Sequence, residues 1–269
     1  MTFTQSWQPL QPLTSAALQS VRLIATDMDG TLTQAEKFTP LLLQTLSELA
    51  EASIPVLIVT GRSAGWVSAI VHYLPVAGAI AENGGLYYSR DEVAIGLSDI
   101  SNRVEHRQKL AQMFADLQRE FPKIQESTDN PFRITDWTFD VQGLSLRELQ
   151  HMQSRCHQQG WGFTYSTVQC HIKPLQQEKA IGLQTVLNRY FPQLTPVEVI
   201  TVGDSPNDQS LFDPNYFPVS VGVANLQHYV DQLTHLPAYL TQKAEVAGFC
   251  ELVSYMKSHE KRRSNERLH

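Results

Sequence analysis

VRLIATDMDGT, residues 21–31, decides the fold. Its first six residues are rich in apolar and β-branched side chains, as in a buried strand, and they stop at the polar loop Asp27-Met28-Asp29-Gly30-Thr31. The pattern recurs along the chain. IPVLIVT (54–60) ends at Gly61-Arg62, and VAGAIA (76–81) ends at Glu82-Asn83-Gly84-Gly85. VEVITV (197–202) ends at Gly203-Asp204-Ser205-Pro206-Asn207-Asp208, and a short strand, VSVGVA, follows at 219–224. Helices are predicted between these strands. One opens with Thr39 as N-cap and Pro40 at the first helical position, with Leu43, Leu46 and Ala50 as its apolar face. Others are predicted over about 177–190 and 249–257. Strand and helix in alternation imply parallel βαβ units and the α/β class.

The middle of the chain reads differently. LYYS and the nearby VAIGL suggest a hairpin, and a polar helix is predicted over 101–120. FRITDWTFDVQ (132–142) and FTYSTVQCHIKP (163–174) read as strands on either side of a helix at 146–159. Strands with one wet face belong to an antiparallel sheet carrying helices on its other face. The expected architecture is therefore a Rossmann-like parallel-sheet core, residues 1–85 and 173–269, interrupted by an inserted α+β domain, residues 86–172. Residues 1–19 read as a loose polar arm and the basic end KSHEKRRSNERLH as a frayed, solvated tail.

Composition narrows the function classes. The chain has 269 residues, of which 42% are hydrophobic and 18% charged, enough for a sizeable core. Its 21 basic and 27 acidic residues give a net charge of −6, which argues against a nucleic-acid partner. No apolar run reaches the roughly 18 residues of a membrane span. The start, MTFTQSWQPLQPLTS, lacks a charged segment followed by an apolar one, so a cytoplasmic location is expected. Three cysteines without CxxC spacing make neither a disulfide framework nor a thiolate metal site. Cys170 beside His171 could suggest a metal or a thiolate nucleophile, but no further ligand stands at useful spacing.

Four polar clusters share one address, the C-terminal ends of the predicted parallel strands: Asp27/Asp29, Thr60-Gly61-Arg62, Glu82-Asn83 and Asp204/Asn207/Asp208. That edge is where open parallel sheets bind ligands. Asp27, Asp204 and Asp208 fall together if the first and fourth strands are neighbours, and carboxylates so close need a cation. An all-oxygen site suits Mg²⁺. The bland alternative is that Asp204 and Asn207 merely cap the helix that follows.

DMDGT, VTGR, a lysine opening a helix, and GDSPND, in that order, resemble the four motifs of the haloacid dehalogenase superfamily. With ENGG placed just before an insertion between the second and third motifs, the chain is similar to the Cof-type branch, which includes sucrose-phosphate and mannosyl-3-phosphoglycerate phosphatases. The resemblance covers about residues 21–255. It implies that Asp27 is a nucleophile forming an aspartyl-phosphate and that Asp29 is the acid/base. The backbone of Met28 to Gly30, together with Thr60, would hold phosphoryl oxygens. Asp204 would ligate Mg²⁺ with Asp27 and the Asp29 carbonyl, and Asp208 would ligate directly or through water.

The third-motif lysine is Lys179 or Lys173. Lys179 fits better, because it opens the predicted helix. Arg62, next to Gly61, is either a phosphate clamp or half of a structural ion pair, and Asn83 either shapes its loop or touches substrate. The insertion would be a cap that closes over the site and selects the leaving group. Arg133, Asp136 and His171 are its candidate contacts, against the plainer reading of a solvated sheet face. Trp137 and Trp161 read as cap core. The function expected is a Mg²⁺-dependent phosphatase for a small phosphorylated metabolite, most simply a sugar phosphate. The alternatives are a phosphomutase on the same fold, or a non-catalytic ligand-binding protein.

Overall fold

The computed structural model describes residues 8–9, 20–91 and 94–266. These divide into two compact units. One holds the described residues up to Ile58, Leu74–Val76 and those from Tyr190 onward; the other holds Val59–Tyr73 and Ala77–Arg189.

The first unit is built on a parallel sheet. Leu23–Thr26 lies between Val56–Val59 and Val199–Gly203, with Thr26 opposite both Ile58 and Val202. Val199–Gly203 pairs on its other side with Ser220–Gly222, which pairs with Tyr239–Leu240. Every residue of Leu23–Thr26 and Val199–Gly203 is buried, so the β-branched runs sit where both faces of the sheet are covered. Gln8–Pro9 pairs with Tyr239–Leu240, so this part of the expected loose arm joins the sheet edge; the rest of the arm lies outside the described residues.

Helix Pro40–Glu51 starts as expected, with the Thr39 side chain accepting from Leu42 N at 3.2 Å and Pro40 in the first turn. Its buried face differs from the expected one. Leu42, Thr45, Leu46 and Leu49 are inside, whereas Leu43 is 45% exposed and Ala50 is also exposed. Leu46 belongs to either stripe, and the one carrying Leu42 and Leu49 buries more apolar surface than the one ending in Ala50. Glu245–Glu266 packs against this helix, with Thr45 Oγ 3.3 Å from Cys250 Sγ and Lys257 paired with Glu48. It runs past the expected end at 257, so the basic stretch is helical as far as Glu266.

In the second unit Gly78–Ala81, Leu86–Tyr88 and Ile95–Gly96 form an antiparallel meander. A separate antiparallel sheet has the order Trp137–Asp140, Gln169–Pro174, Trp161–Tyr165. Here two expectations are corrected. The single strand expected at 163–174 is two, folded back through a turn in which Ser166 N bonds Gln169 O at 2.9 Å and Ser166 Oγ accepts from Val168 N at 3.1 Å. The strand expected from 132 begins only at Trp137, because Asn130–Phe132 is a short 3₁₀ turn. Helix Arg103–Glu120 is capped by Asn102, and Leu146–Gln158 by a Ser145/Glu148 box. Leu110, Met113, Phe114, Phe139, Met152 and Phe163 make the core between helices and sheet, with Trp137 and Trp161 packed against it as expected.

Candidate active site

In the first unit the DMDGT and GDSPND loops leave adjacent parallel strands at the same edge. Asp27 N donates to Val202 O at 2.8 Å, which ties one loop to the other strand. Asp27, Asp204 and Asp208 are buried, and one carboxylate oxygen of each lies within 4.8 Å of the others. Asp29, two residues on, is half-buried.

Backbone and small side chains hold these carboxylates. Gly30 has φ +78°, and a Cβ there would lie 2.3 Å from Asp204 Oδ2, so only glycine lets Asp204 come this close. Thr31 Oγ donates to Asp204 Oδ1 at 3.5 Å. Asn225 Nδ2 donates to Asp204 Oδ2 at 2.8 Å and to Gly30 O at 3.1 Å, while Asn225 Oδ1 accepts from Glu245 N at 2.9 Å. Asp208 Oδ2 accepts from the backbone N–H groups of Asp204 at 2.9 Å and Ser205 at 3.1 Å. After GDSP, Ser205 and Asp208 form a capping box, and the Ser205 hydroxyl donates to Asn207 Oδ1 at 2.8 Å. Gly30 N donates to Thr33 Oγ at 3.0 Å, and Met28 is buried.

Three buried carboxylates in one small volume offer a hard, all-oxygen donor set. Like charges this close are stable together only with compensating positive charge, and a small divalent cation matches that demand. The residues present fit such an ion.

The second unit holds the remaining motif residues. Thr60 N donates to Ile80 O at 2.8 Å, Thr60 Oγ accepts from Arg62 N at 3.1 Å, and Thr60 O accepts from Asn83 N at 3.0 Å. The Thr60–Arg62 and Glu82–Asn83 loops are therefore cross-bonded, and Glu82 and Asn83 adopt left-handed φ values of 53° and 55°. Glu82 is fully buried. Its carboxylate accepts from Ala64 N at 2.9 Å, Ile134 N at 3.1 Å, Thr135 N at 2.6 Å and Thr135 Oγ at 2.7 Å. Burial, with the nearby Asp136 charge, pushes its carboxyl above the ordinary carboxylate range. The Arg62 guanidinium lies 5.4 Å from the centre of the Trp66 ring.

Arg133, Asp136 and His171 are buried and bonded to one another, which corrects the expectation of a solvated sheet face. Arg133 Nη1 donates to both Asp136 oxygens at 3.0 Å and to Gly61 O at 2.9 Å. Asp129 takes the other side of the guanidinium at 2.9 Å. Burial opposes ionisation of Asp136, but Arg133 and His171 outweigh it and hold the carboxyl below its usual range. Cys170 lies in the hydrophobic core, since neighbours on a strand point to opposite faces, and burial raises its thiol well above the ordinary value. That is no environment for a thiolate.

The two candidate lysines are both buried. Lys173 pairs with Glu178 Oε1 at 2.6 Å and donates to the Gln177 carbonyl. Lys179 is the first residue of helix Lys179–Tyr190. Sequence reasoning missed Asn225 and the organising role of Glu82. Asn225 directly follows VSVGVA, the same strand-end address as the other clusters, so its position alone could have pointed to it.

A family model for sucrose-6F-phosphate phosphohydrolase matches residues 20–257. Among curated relatives, a phosphoglycolate phosphatase of Methanothrix thermoacetophila is 26% identical, over 88% of this chain and 98% of that protein. One from Methanothermobacter thermautotrophicus is also 26% identical, over 87% and 97%. A solved structure from Thermoplasma acidophilum has a TM-score of 0.70 at 17% identity, covering 88% of this chain and 98% of that one. The sucrose-phosphatase of Synechocystis has a TM-score of 0.61 at 15% identity, covering 87% and 97%. No helix among the described residues is long and apolar enough to cross a membrane.

Proposed function

The chain belongs to the sucrose-6F-phosphate phosphohydrolase family, phosphoric monoester hydrolases of the haloacid dehalogenase superfamily, and we propose that its substrate is a sugar phosphate, its metal Mg²⁺ and its covalent intermediate an aspartyl-phosphate on Asp27. The observation that carries this reading is the buried cluster of Asp27, Asp204 and Asp208, with Asp27 in the DMDGT loop.

An Asp27 carboxylate oxygen attacks phosphorus, and the bond to the leaving alcohol breaks. Asp29, half-buried and so in contact with solvent, gives the alkoxide its proton. It then takes a proton from the water that attacks the phosphoryl group, which regenerates Asp27 and releases phosphate. Thr60 holds a phosphoryl oxygen and Lys179 neutralises charge on the transferring group. Arg62, stacked on Trp66, and Asn83 border the phosphate loops. Asp27, Asp204, Asp208 and the Asp29 carbonyl would hold Mg²⁺, which would supply positive charge to offset the repulsion between phosphate and the attacking carboxylate. Residues 86–172 are the proposed substrate-selecting cap on a core of 1–85 and 173–269.

Phosphoglycolate is the second candidate substrate, favoured by the names of the curated relatives. Release of inorganic phosphate from sucrose 6F-phosphate, mannosyl-3-phosphoglycerate, glucose 6-phosphate and phosphoglycolate tests both. We expect a sugar phosphate to be hydrolysed fastest, activity to vanish with EDTA and to return with Mg²⁺. Preference for phosphoglycolate replaces the first substrate reading with the second. Turnover undiminished by chelator ends the metal assignment, and isomerised sugar phosphate in place of phosphate identifies a mutase.

A further inference from the structure

His171 has no part in the mechanism above, yet it is among the most tightly specified side chains in the second unit. Its residue is 1% exposed on the strand Gln169–Pro174. Nδ1 lies 2.9 Å from Asp136 Oδ2, and Asp136 is clamped in turn by Arg133, both of whose bonds to it are 3.0 Å. The same Arg133 nitrogen reaches Gly61 O at 2.9 Å, so one guanidinium ties this pair to the second-motif loop. The far edge of the imidazole faces that loop as well. A Cβ on Gly61 would stand 3.0 Å from His171 Cε1, 3.1 Å from Nε2 and 3.3 Å from Asn83 Nδ2, so the ring packs closely against residue 61.

This arrangement fixes which nitrogen carries the proton. The Asp136 carboxylate accepts and does not donate, so Nδ1 must be the protonated nitrogen. Burial holds His171 below its usual value against the pull of Asp136, with the Arg133 and Lys179 charges adding to the effect. The ring is therefore neutral near pH 7, and Nε2 carries a lone pair. No described residue hydrogen-bonds Nε2.

We infer that His171 Nε2 is a hydrogen-bond acceptor for a hydroxyl of the substrate's leaving group, set beside the VTGR loop by Asp136 and Arg133. The inference rests on the phosphatase reading and sharpens it. A lone pair welcomes a sugar hydroxyl, whereas a carboxylate such as that of phosphoglycolate finds no donor on this nitrogen. Asp136 and Arg133 are positioning residues, acting through the ring they hold.

Two measurements test it. Long-range ¹H–¹⁵N spectra of the wild-type protein near pH 7 should show His171 neutral, with the proton on Nδ1 and none on Nε2. A proton on Nε2, alone or in an imidazolium, overturns the inference. Second, kcat/KM of the His171→Ala variant is compared on sucrose 6F-phosphate and on p-nitrophenyl phosphate, whose leaving group has no sugar hydroxyls. The loss on the sugar ester should exceed the loss on the aryl ester by about tenfold, the worth of one buried hydrogen bond. Equal losses overturn the inference. The spectrum needs neither turnover nor a variant, so it can overturn the inference even if His171→Ala fails to fold. Failure to release phosphate from any ester tried strikes instead at the phosphatase reading.

Discussion

Asn225 donates to Asp204: its Nδ2 lies 2.8 Å from Asp204 Oδ2 and also bonds the Gly30 carbonyl at 3.1 Å. One carboxamide thus fixes an acidic side chain of one motif against the backbone of another. Groups that orient metal-binding carboxylates usually matter nearly as much as the carboxylates themselves. Asn225→Ala should weaken Mg²⁺ binding by about 10–100-fold, read as a shift in the half-saturating Mg²⁺ concentration for activity. An unmoved midpoint would show that Asp204 needs no such help.

The two aspartates of DMDGT should part company on mutation. Asp27→Asn removes the attacking oxygen anion, and neither phosphoenzyme nor hydrolysis is expected. Asp29→Asn keeps the nucleophile and should slow turnover by about 10²–10⁴, the usual cost of a lost general acid or base. With p-nitrophenyl phosphate, whose leaving group needs little protonation, the Asp29→Asn enzyme should accumulate phosphate on Asp27. Acid-quenched mass spectrometry locates it. Phosphate on any other residue would refute the assigned roles.

Lys173 and Lys179 separate by what their loss disturbs. Lys173 is engaged by Glu178 and the Gln177 carbonyl, so Lys173→Met should lower the thermal midpoint more than kcat. Lys179→Met should lower kcat by about 10²–10³, in line with removal of one preorganised group from a transition state. The reverse pattern in paired melts and kinetics would transfer the third-motif role to Lys173.

Arg133 is the counter-charge for Asp136 and Asp129. Arg133→Met leaves buried carboxylate uncompensated, which typically costs about 3–5 kcal/mol. The pH dependence follows from Asp136. In the wild type its folded-state pKa lies below the ordinary 3.8, so its contribution is present above that value and lost as pH falls through the lowered one. Without Arg133, burial is less fully countered by His171, so that pKa rises and protonation relieves part of the penalty. The stability gap between variant and wild type, measured by urea unfolding, should be widest at pH 7 and narrow on acidification. A gap that widens toward pH 5 contradicts this account.

The residues that end strands were legible because a buried β-branched run and the polar loop after it mark a sharp boundary. Asp27, Asp204 and Asp208 were found that way, and the structure brings them together. Arg133 and Asp136 were misread for an equally physical reason. Alternating polar and apolar residues signal a half-wet strand, and nothing local distinguishes a charge facing water from one buried against a partner 36 residues away, as Arg133 is with Gln169. The face of Pro40–Glu51 was misplaced because two leucine stripes share Leu46, and only tertiary packing chooses between them. The turn dividing 163–174 was hidden because Ser166 closes it through its own side chain, without glycine or proline.

Asp208 already gives one carboxylate oxygen to two backbone N–H groups of its own loop. To grip an ion with both oxygens it would have to surrender those bonds. Calcium prefers six to eight oxygens at about 2.3–2.6 Å and commonly draws carboxylates into two-oxygen contacts, while magnesium is satisfied at about 2.0–2.1 Å with one oxygen from each. If those hydrogen bonds persist when an ion binds, the GDSPND loop would favour the smaller ion, and activity should be higher with Mg²⁺ than with Ca²⁺.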